Sequence, residues 1–285
     1  MVISDKPFAA EPIIDVNVLK SQFHQYYNCL NEDEIQPYKI IWCSRLTLHY
    51  RADAPEKLLL IYGSLLVIIK NINGTLSKLK LDYKDINFLV EETGSTVNCI
   101  TIDYKSGLKE RIFYDSIVSK LVNDLLLELR KKLAQKVPEV HRDYLPDPAF
   151  SDAEENNYAG ALVARAAVMD KSSVLCSLKQ KKLYDHPGLL FRKVITRTHF
   201  TIVCQKEILI FMEQTNTREN HNIEGELLYI SLSSLRNVSL EATGKGMLLK
   251  YIFTAERIVE LFYENERTDK LLKVMSYINS MTAMS

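Results

Sequence analysis

The chain has 285 residues, enough for two domains of ordinary size. It carries 36 basic and 36 acidic side chains, and residues 1–135 alone hold 17 of each, so neither half has the basic excess that drives binding to nucleic acid. Its hydrophobic fraction of 47% excludes a largely disordered chain, and no apolar run is long enough to span a bilayer.

Taken in order, the first pattern is helical. Val18, Leu19, Phe23, Tyr26, Tyr27 and Leu30 recur at helical spacing over 16–30, with Asp15 as an N-cap and Pro37 beyond the end. From Ile40 the pattern becomes short β-type runs: 45–50, then 57–62 and 65–72 around Gly63-Ser64, a hairpin signal. Asn73-Gly74-Thr75 reads as a turn rather than a glycosylation acceptor. Residues 76–90 predict one or two strands, 92–95 a turn, and 97–104 with 108–114 a second hairpin. The period then switches. Ile117, Leu121, Val122, Leu125, Leu126, Leu129 and Leu133 form one helical stripe, and Arg130-Lys131-Lys132 suits the negative end of the helix dipole.

Pro138, Pro146 and Pro148 among acidic residues mark a linker, expected to be extended, followed by an alanine-rich helix at 154–169 expected to dock one domain on the other. Residues 171–184 either extend that helix or open a second sheet. Strands return at 189–195, 200–204 and 208–212. Residues 213–225 form a polar loop, and strands follow at 226–232, 237–240, 247–253 and 257–263. A closing helix spans 269–281, with Leu271, Leu272, Met275 and Ile278 on one face.

The two β-to-helix runs repeat. A shift of 149 carries Leu81 to Ile230, Ile86 to Leu235 and Leu89 to Val238. It carries Ile112-Phe113-Tyr114-Asp115 onto Leu261-Phe262-Tyr263-Glu264, and Val122, Leu125, Leu126 and Leu129 onto Leu271, Val274, Met275 and Ile278. Upstream the shift falls to 141, so the second copy needs about eight extra residues in its polar loop, which costs little closure entropy. Seven short strands and one amphipathic helix per unit predict either an open barrel or two stacked sheets plugged by the helix.

The strand pair at 58–69, the segment Asp85-Ile86 and the hairpin at 96–114, with Ser234-Leu235 and the strands at 247–263 in the second copy, resemble the pleckstrin-homology-like superfamily, especially its bacterial PH-like and GRAM-like domains. The resemblance covers about two thirds of the chain. It implies a mainly β fold with α: two PH-like β-barrel or sandwich domains, each closed by a C-terminal helix. The expected division is an N-terminal helical extension (1–39), a first domain (40–137), a partly helical linker (138–187) and a second domain (188–285). Lipid-binding members of that superfamily carry several cations on the first strands and their loop. Here the first copy has the mixed-charge stretch 51–57. In the second, Arg192, Lys193 and Arg197, with His199, are either an anion or lipid contact or ordinary solvated charges. The tryptophan common in the closing helix of eukaryotic members is missing; the one tryptophan, Trp42, is expected in the core.

Catalytic signals are absent from the sequence. The six histidines show no metal-ligand spacing and are expected at surface or packing positions. The five cysteines form no C-x-x-C pair, and Thr243-Gly244-Lys245-Gly246 precedes a strand where a phosphate loop requires a helix. No cofactor is implied. The expectation is a cytoplasmic, non-enzymatic scaffold that binds another protein or itself. The alternative is a peripheral membrane adaptor reading anionic headgroups through the second domain.

Overall fold

The computed structural model describes residues 10–13, 16–31, 34, 36–45, 54–94, 97–104, 107–115, 119–135, 137, 174–185, 193–213, 223–254 and 256–283. Strands dominate. The chain opens with β1 (Ala10–Ile13), α1 (Val16–Gln22) and α2 (His24–Tyr27). Next come β2 (Lys39–Cys43), β3 (Glu56–Ile61), β4 (Leu65–Ile72) and β5 (Thr75–Asp82), which with β1 form one antiparallel sheet in the order β1-β2-β3-β4-β5. A 3-10 turn (Tyr83–Asp85) leads into β6 (Ile86–Gly94), β7 (Val97–Tyr104), β8 (Lys109–Asp115) and α3 (Ser119–Ala134).

The second half contains β9 (Val174–Gln180), β10 (Leu183–Asp185), β11 (Lys193–Thr196), β12 (His199–Cys204), β13 (Glu207–Glu213) and β14 (Ile223–Ser231). A 3-10 turn (Leu232–Ser234), β15 (Asn237–Thr243), β16 (Gly246–Thr254), β17 (Arg257–Tyr263) and α4 (Thr268–Thr282) complete it. The 3-10 turn, three strands and helix of the first half therefore recur 149 residues later. Nine residues separate β13 from β14 and two separate β4 from β5, so the second copy carries seven more.

None of the sheets closes into a barrel, which corrects the barrel alternative. Instead β6, β7 and β8 join the strands of the second half in one seven-stranded sheet, in the order β8-β7-β6-β14-β13-β12-β9, while β15-β16-β17 form a separate sheet. The core strands are buried on both faces, which explains their unbroken apolar runs. In β3, Leu59 and Ile61 face a large core shared with α3 and the β6–β8 strands, while Leu58 and Leu60 face a smaller one closed by Leu19 and Tyr26 of α1 and α2. In β14, Leu227 and Tyr229 face the large core of the first half, while Leu228 and Ile230 face that of the second, with β15–β17 and α4.

Local differences from the sequence reading have physical reasons. The helix expected over 16–30 breaks at Phe23 into two short pieces, and residues 10–13 form a strand that the sequence reading missed, paired with β2. Residues 174–180, inside the expected linker, are strand β9 paired with β12, so this sheet begins before residue 188. Trp42 is half-buried: its ring lies 5.5 Å from that of Phe23 and its N–H donates to Glu56 at 2.7 Å. Leu272 is exposed, outside the buried face of Leu271, Val274 and Ile278. Asn73 and Gly74 both have positive φ, 53° and 88°, as a two-residue turn matched to strand twist requires. The expected helix at 154–169 and the strand at 46–50 lie outside the described residues.

Candidate functional site

The halves meet at the pairing of β14 with β6, where Tyr229 lies opposite Leu89, Leu228 opposite Val90 and Leu227 opposite Glu91. Polar groups buried at this junction are matched across it. The Glu91 carboxylate accepts from the Tyr229 hydroxyl at 2.8 Å and from Tyr114 at 3.4 Å. Arg130 of α3 reaches Glu207 of β13 with two nitrogens, at 2.5 and 3.2 Å, and its guanidinium sits 4.4 Å from the centre of the Tyr229 ring. Ser231 and Ser233 donate to the Leu133 carbonyl near the end of α3, and Ser234 donates to the Asn87 carbonyl. Arg257 pairs with Asp103, which also accepts from Asn87. Such a set of buried, directional contacts fixes one mutual orientation of the halves.

Among the edge strands of the described sheets, β15 and β5 are the repeat counterparts of the two strands paired at this junction. β15 is the edge of its sheet, and α4 guards it. The Val238 N–H donates to the Asn279 side-chain oxygen, and the Asn279 side-chain nitrogen donates back to the Val238 carbonyl, both at 2.8 Å. The backbone groups of Val238 therefore point away from β16, and by alternation so do those of Leu240 and Ala242. At the other end of the molecule β5 is the edge of the first sheet. Its tight turn to β4 pairs Thr75 with Ile72, so the backbone groups of Leu76 and Lys78 point outward. Among the described residues no strand lies beyond β5. On its flank, Glu34 takes Lys78 at 2.8 Å and Lys80 on its other oxygen. Burial pushes the Glu34 carboxyl up, but the hydrogen bonds from Lys78 and Lys80 outweigh it and hold the group at about 2.

Of the three cations singled out from the sequence, Arg197 reaches a cleft in the second half. Arg192 lies outside the described residues, Lys193 opens β11 opposite Asp185, and Arg197 is exposed. Arg197 lines a cleft of about 490 Å³ together with Thr196, His199, Met212 and Glu260. His199, expected at a surface or packing position, is 1% exposed. Its Nδ1 lies 3.1 Å from the Arg197 carbonyl, an acceptor only, so Nδ1 carries the hydrogen. The buried Nε2 is then a lone pair with no hydrogen-bond partner among the described residues. Burial lowers its pKa to about 4, against the raising effect of the Arg197 carbonyl, and nearby Arg267 lowers it further. At neutral pH the cleft presents a neutral acceptor inside, a guanidinium and a carboxylate.

Sequence reasoning missed Arg130, Glu207, Asn279 and Glu91. Arg130 was assigned to the helix dipole, but it is 6% exposed and ion-paired across the junction. Its place among Leu126, Leu129 and Leu133 on the apolar stripe was the available signal. Among the described residues no three His, Cys, Asp or Glu side chains gather as a metal site, and no helix is long and apolar enough to cross a membrane. Comparison with models of known families and with curated proteins finds no match to either.

Proposed function

We propose that this chain is a non-enzymatic binding or scaffold protein. In this reading two pleckstrin-homology-like units, joined rigidly through one sheet, engage protein partners along strand edges. The order of four strands, a 3-10 turn, three strands and a helix, present twice among the larger elements, supports the resemblance. The second unit then begins near β9 rather than at residue 188. The observation that carries the reading is the junction itself: β14 already accepts a strand, and β5, its counterpart in the first half, has outward backbone groups and no neighbour among the described residues. Adding a strand to such an edge supplies affinity through the main chain and selectivity through alternate side chains. All five cysteines are free, which supports a reducing, cytoplasmic setting.

The test is selection of a random-peptide display library on the full chain. β-type peptides should be enriched, and a Lys78→Pro substitution, which removes an outward N–H, should abolish their binding, whereas Lys78→Gln should keep it. Failure to enrich any strand-forming peptide, or binding indifferent to the proline, overturns the reading.

One observation favours a second reading, a peripheral adaptor for anionic membrane surfaces: Arg197 at the mouth of the cleft that His199 lines. Co-sedimentation with phosphatidylserine vesicles at low salt, lost in Arg197→Ala, supports it. Equal recovery with phosphatidylcholine vesicles ends it.

A further inference from the structure

We propose that β5 and β15 are the two halves of an intermolecular version of the β14–β6 junction, that their partner is a second copy of this chain, and that Asn279 restrains the pairing. The proposal rests on the strand-edge reading and commits it to one occupant.

The shift of 149 that relates the halves converts β5 into β14 and β6 into β15. One strand of each equivalent pair is used inside the molecule, and the other stands at an edge. Transferring the register of the internal junction places Lys78 opposite Leu240 and Leu76 opposite Ala242, where both strands direct their backbone groups outward. The same register sets Ser77 against Glu241 and Lys80 against Val238, so no like charges oppose each other.

The helices differ where the edges differ. At the position of α4 that carries Asn279, α3 carries Arg130, which turns to Glu207 and leaves the Leu89 backbone to Tyr229. Asn279 instead spends its amide on Val238, as donor and acceptor at once. A side-chain amide has the hydrogen-bonding pattern of a peptide group, so Asn279 occupies one rung that an incoming strand would use. Covering an edge in this way is a known defence against strand pairing. Leu240 and Ala242 are not covered by it.

Because each copy would give β5 to one neighbour and β15 to another, the contact is head-to-tail and extends from copy to copy. It is also limited to the edge. At the internal junction α3 covers the outer face of β12–β14, but α1 and α2 already fill the corresponding face of β2–β4. Association is therefore weak and depends on concentration.

Sedimentation velocity of the full chain across the micromolar range tests this. Asn279→Ala should associate about tenfold more tightly than the wild type, and adding Lys78→Pro to it should abolish the association. The double variant, mixed into Asn279→Ala, should shorten the assemblies, because it can offer β15 but cannot accept a strand at β5. Should Lys78→Pro fail to fold, a register-specific cross-link replaces it: Ser77→Cys combined with Glu241→Cys should form an intermolecular disulfide between the introduced cysteines on mild oxidation. A folded Asn279→Ala chain that stays monomeric, or one whose association ignores Lys78→Pro and yields no such disulfide, overturns the proposal. If peptides still bind at β5 in a proline-sensitive way, only the choice of partner falls. If they do not, the strand-edge reading falls with it.

Discussion

Replacing Arg130 with methionine should cost far more than a typical surface substitution. The guanidinium is buried, holds Glu207 at 2.5 and 3.2 Å, and covers the Tyr229 ring at 4.4 Å. Glu207 is itself 4% exposed, so Arg130→Met leaves a carboxylate in the junction without its guanidinium. Removing one partner of a buried pair costs about 3–5 kcal/mol. The lost cation–π contact adds about 1 kcal/mol, and methionine, packing on the leucine stripe of α3, recovers a similar amount. The expected loss is therefore ~3–5 kcal/mol, read from urea unfolding. Replacing both partners, Arg130→Met with Glu207→Leu, should restore stability to within about 1 kcal/mol of the wild type, since an apolar pair needs no countercharge. Trp42 reports on the first half alone, while circular dichroism reports on the whole chain. The two transitions should coincide in the wild type and separate in Arg130→Met, because the junction transmits cooperativity. A loss under about 1 kcal/mol, or a double variant no better than the single one, would refute the assignment of Arg130 and Glu207 as the lock between the halves.

His199 should make folding acid-sensitive. Its pKa falls from 6.5 to about 4 on folding, so its contribution is complete above 6.5 and is lost as pH drops towards 4; the gap corresponds to ~3 kcal/mol, and His199→Phe should flatten that part of the stability profile measured by urea titration. Leu125, 1% exposed on the buried face of α3, should cost ~2–5 kcal/mol when cut to alanine; a change within about 0.5 kcal/mol would place that face outside the core.

How much of this was legible follows from the range of each interaction. Period-two runs, two-residue turns and the leucine stripe are local signals, and they located β3, β4, β7, β8, β12, β13, β16, β17 and both long helices to within a few residues. β9 was ambiguous because its run, Val174 to Gln180, is short and carries Lys179, and only its partner β12 decides its conformation. The pairing of β14 with β6 joins residues 129 to 140 positions apart, from Ile223–Gly94 to Tyr229–Leu89, and no local pattern encodes it. Side chains whose role depends on that pairing were therefore misread or missed. Glu91 and Glu92 are neighbours in β6 and so face opposite ways, but nothing in the sequence placed Tyr229 within reach of Glu91.

The pairing also explains the N-terminal segment. In the second half, the outer face of the sheet, with Phe200, Ile202, Leu209, Leu227 and Tyr229, is covered by the core of the first half. In the first half the corresponding face meets the N-terminal helices instead. There α1 and α2 supply Leu19 and Tyr26 against Leu58, Leu60, Val67 and Ile69. Lys78 and Lys80 stand where the second half has Leu227 and Tyr229. Their charges fit a face that Glu34 can reach, just as Tyr229 fits one that Glu91 reaches. α1 and α2 thus cover a face of the first half, and Asn279 covers an edge of the second. The two are not equivalent in strength: the first buries a hydrophobic cluster, while the second consists of two hydrogen bonds from one side chain. The Asn279 contact is therefore the cheaper of the two to open, and among the described residues no strand pairs with Leu240 or Ala242 beyond it.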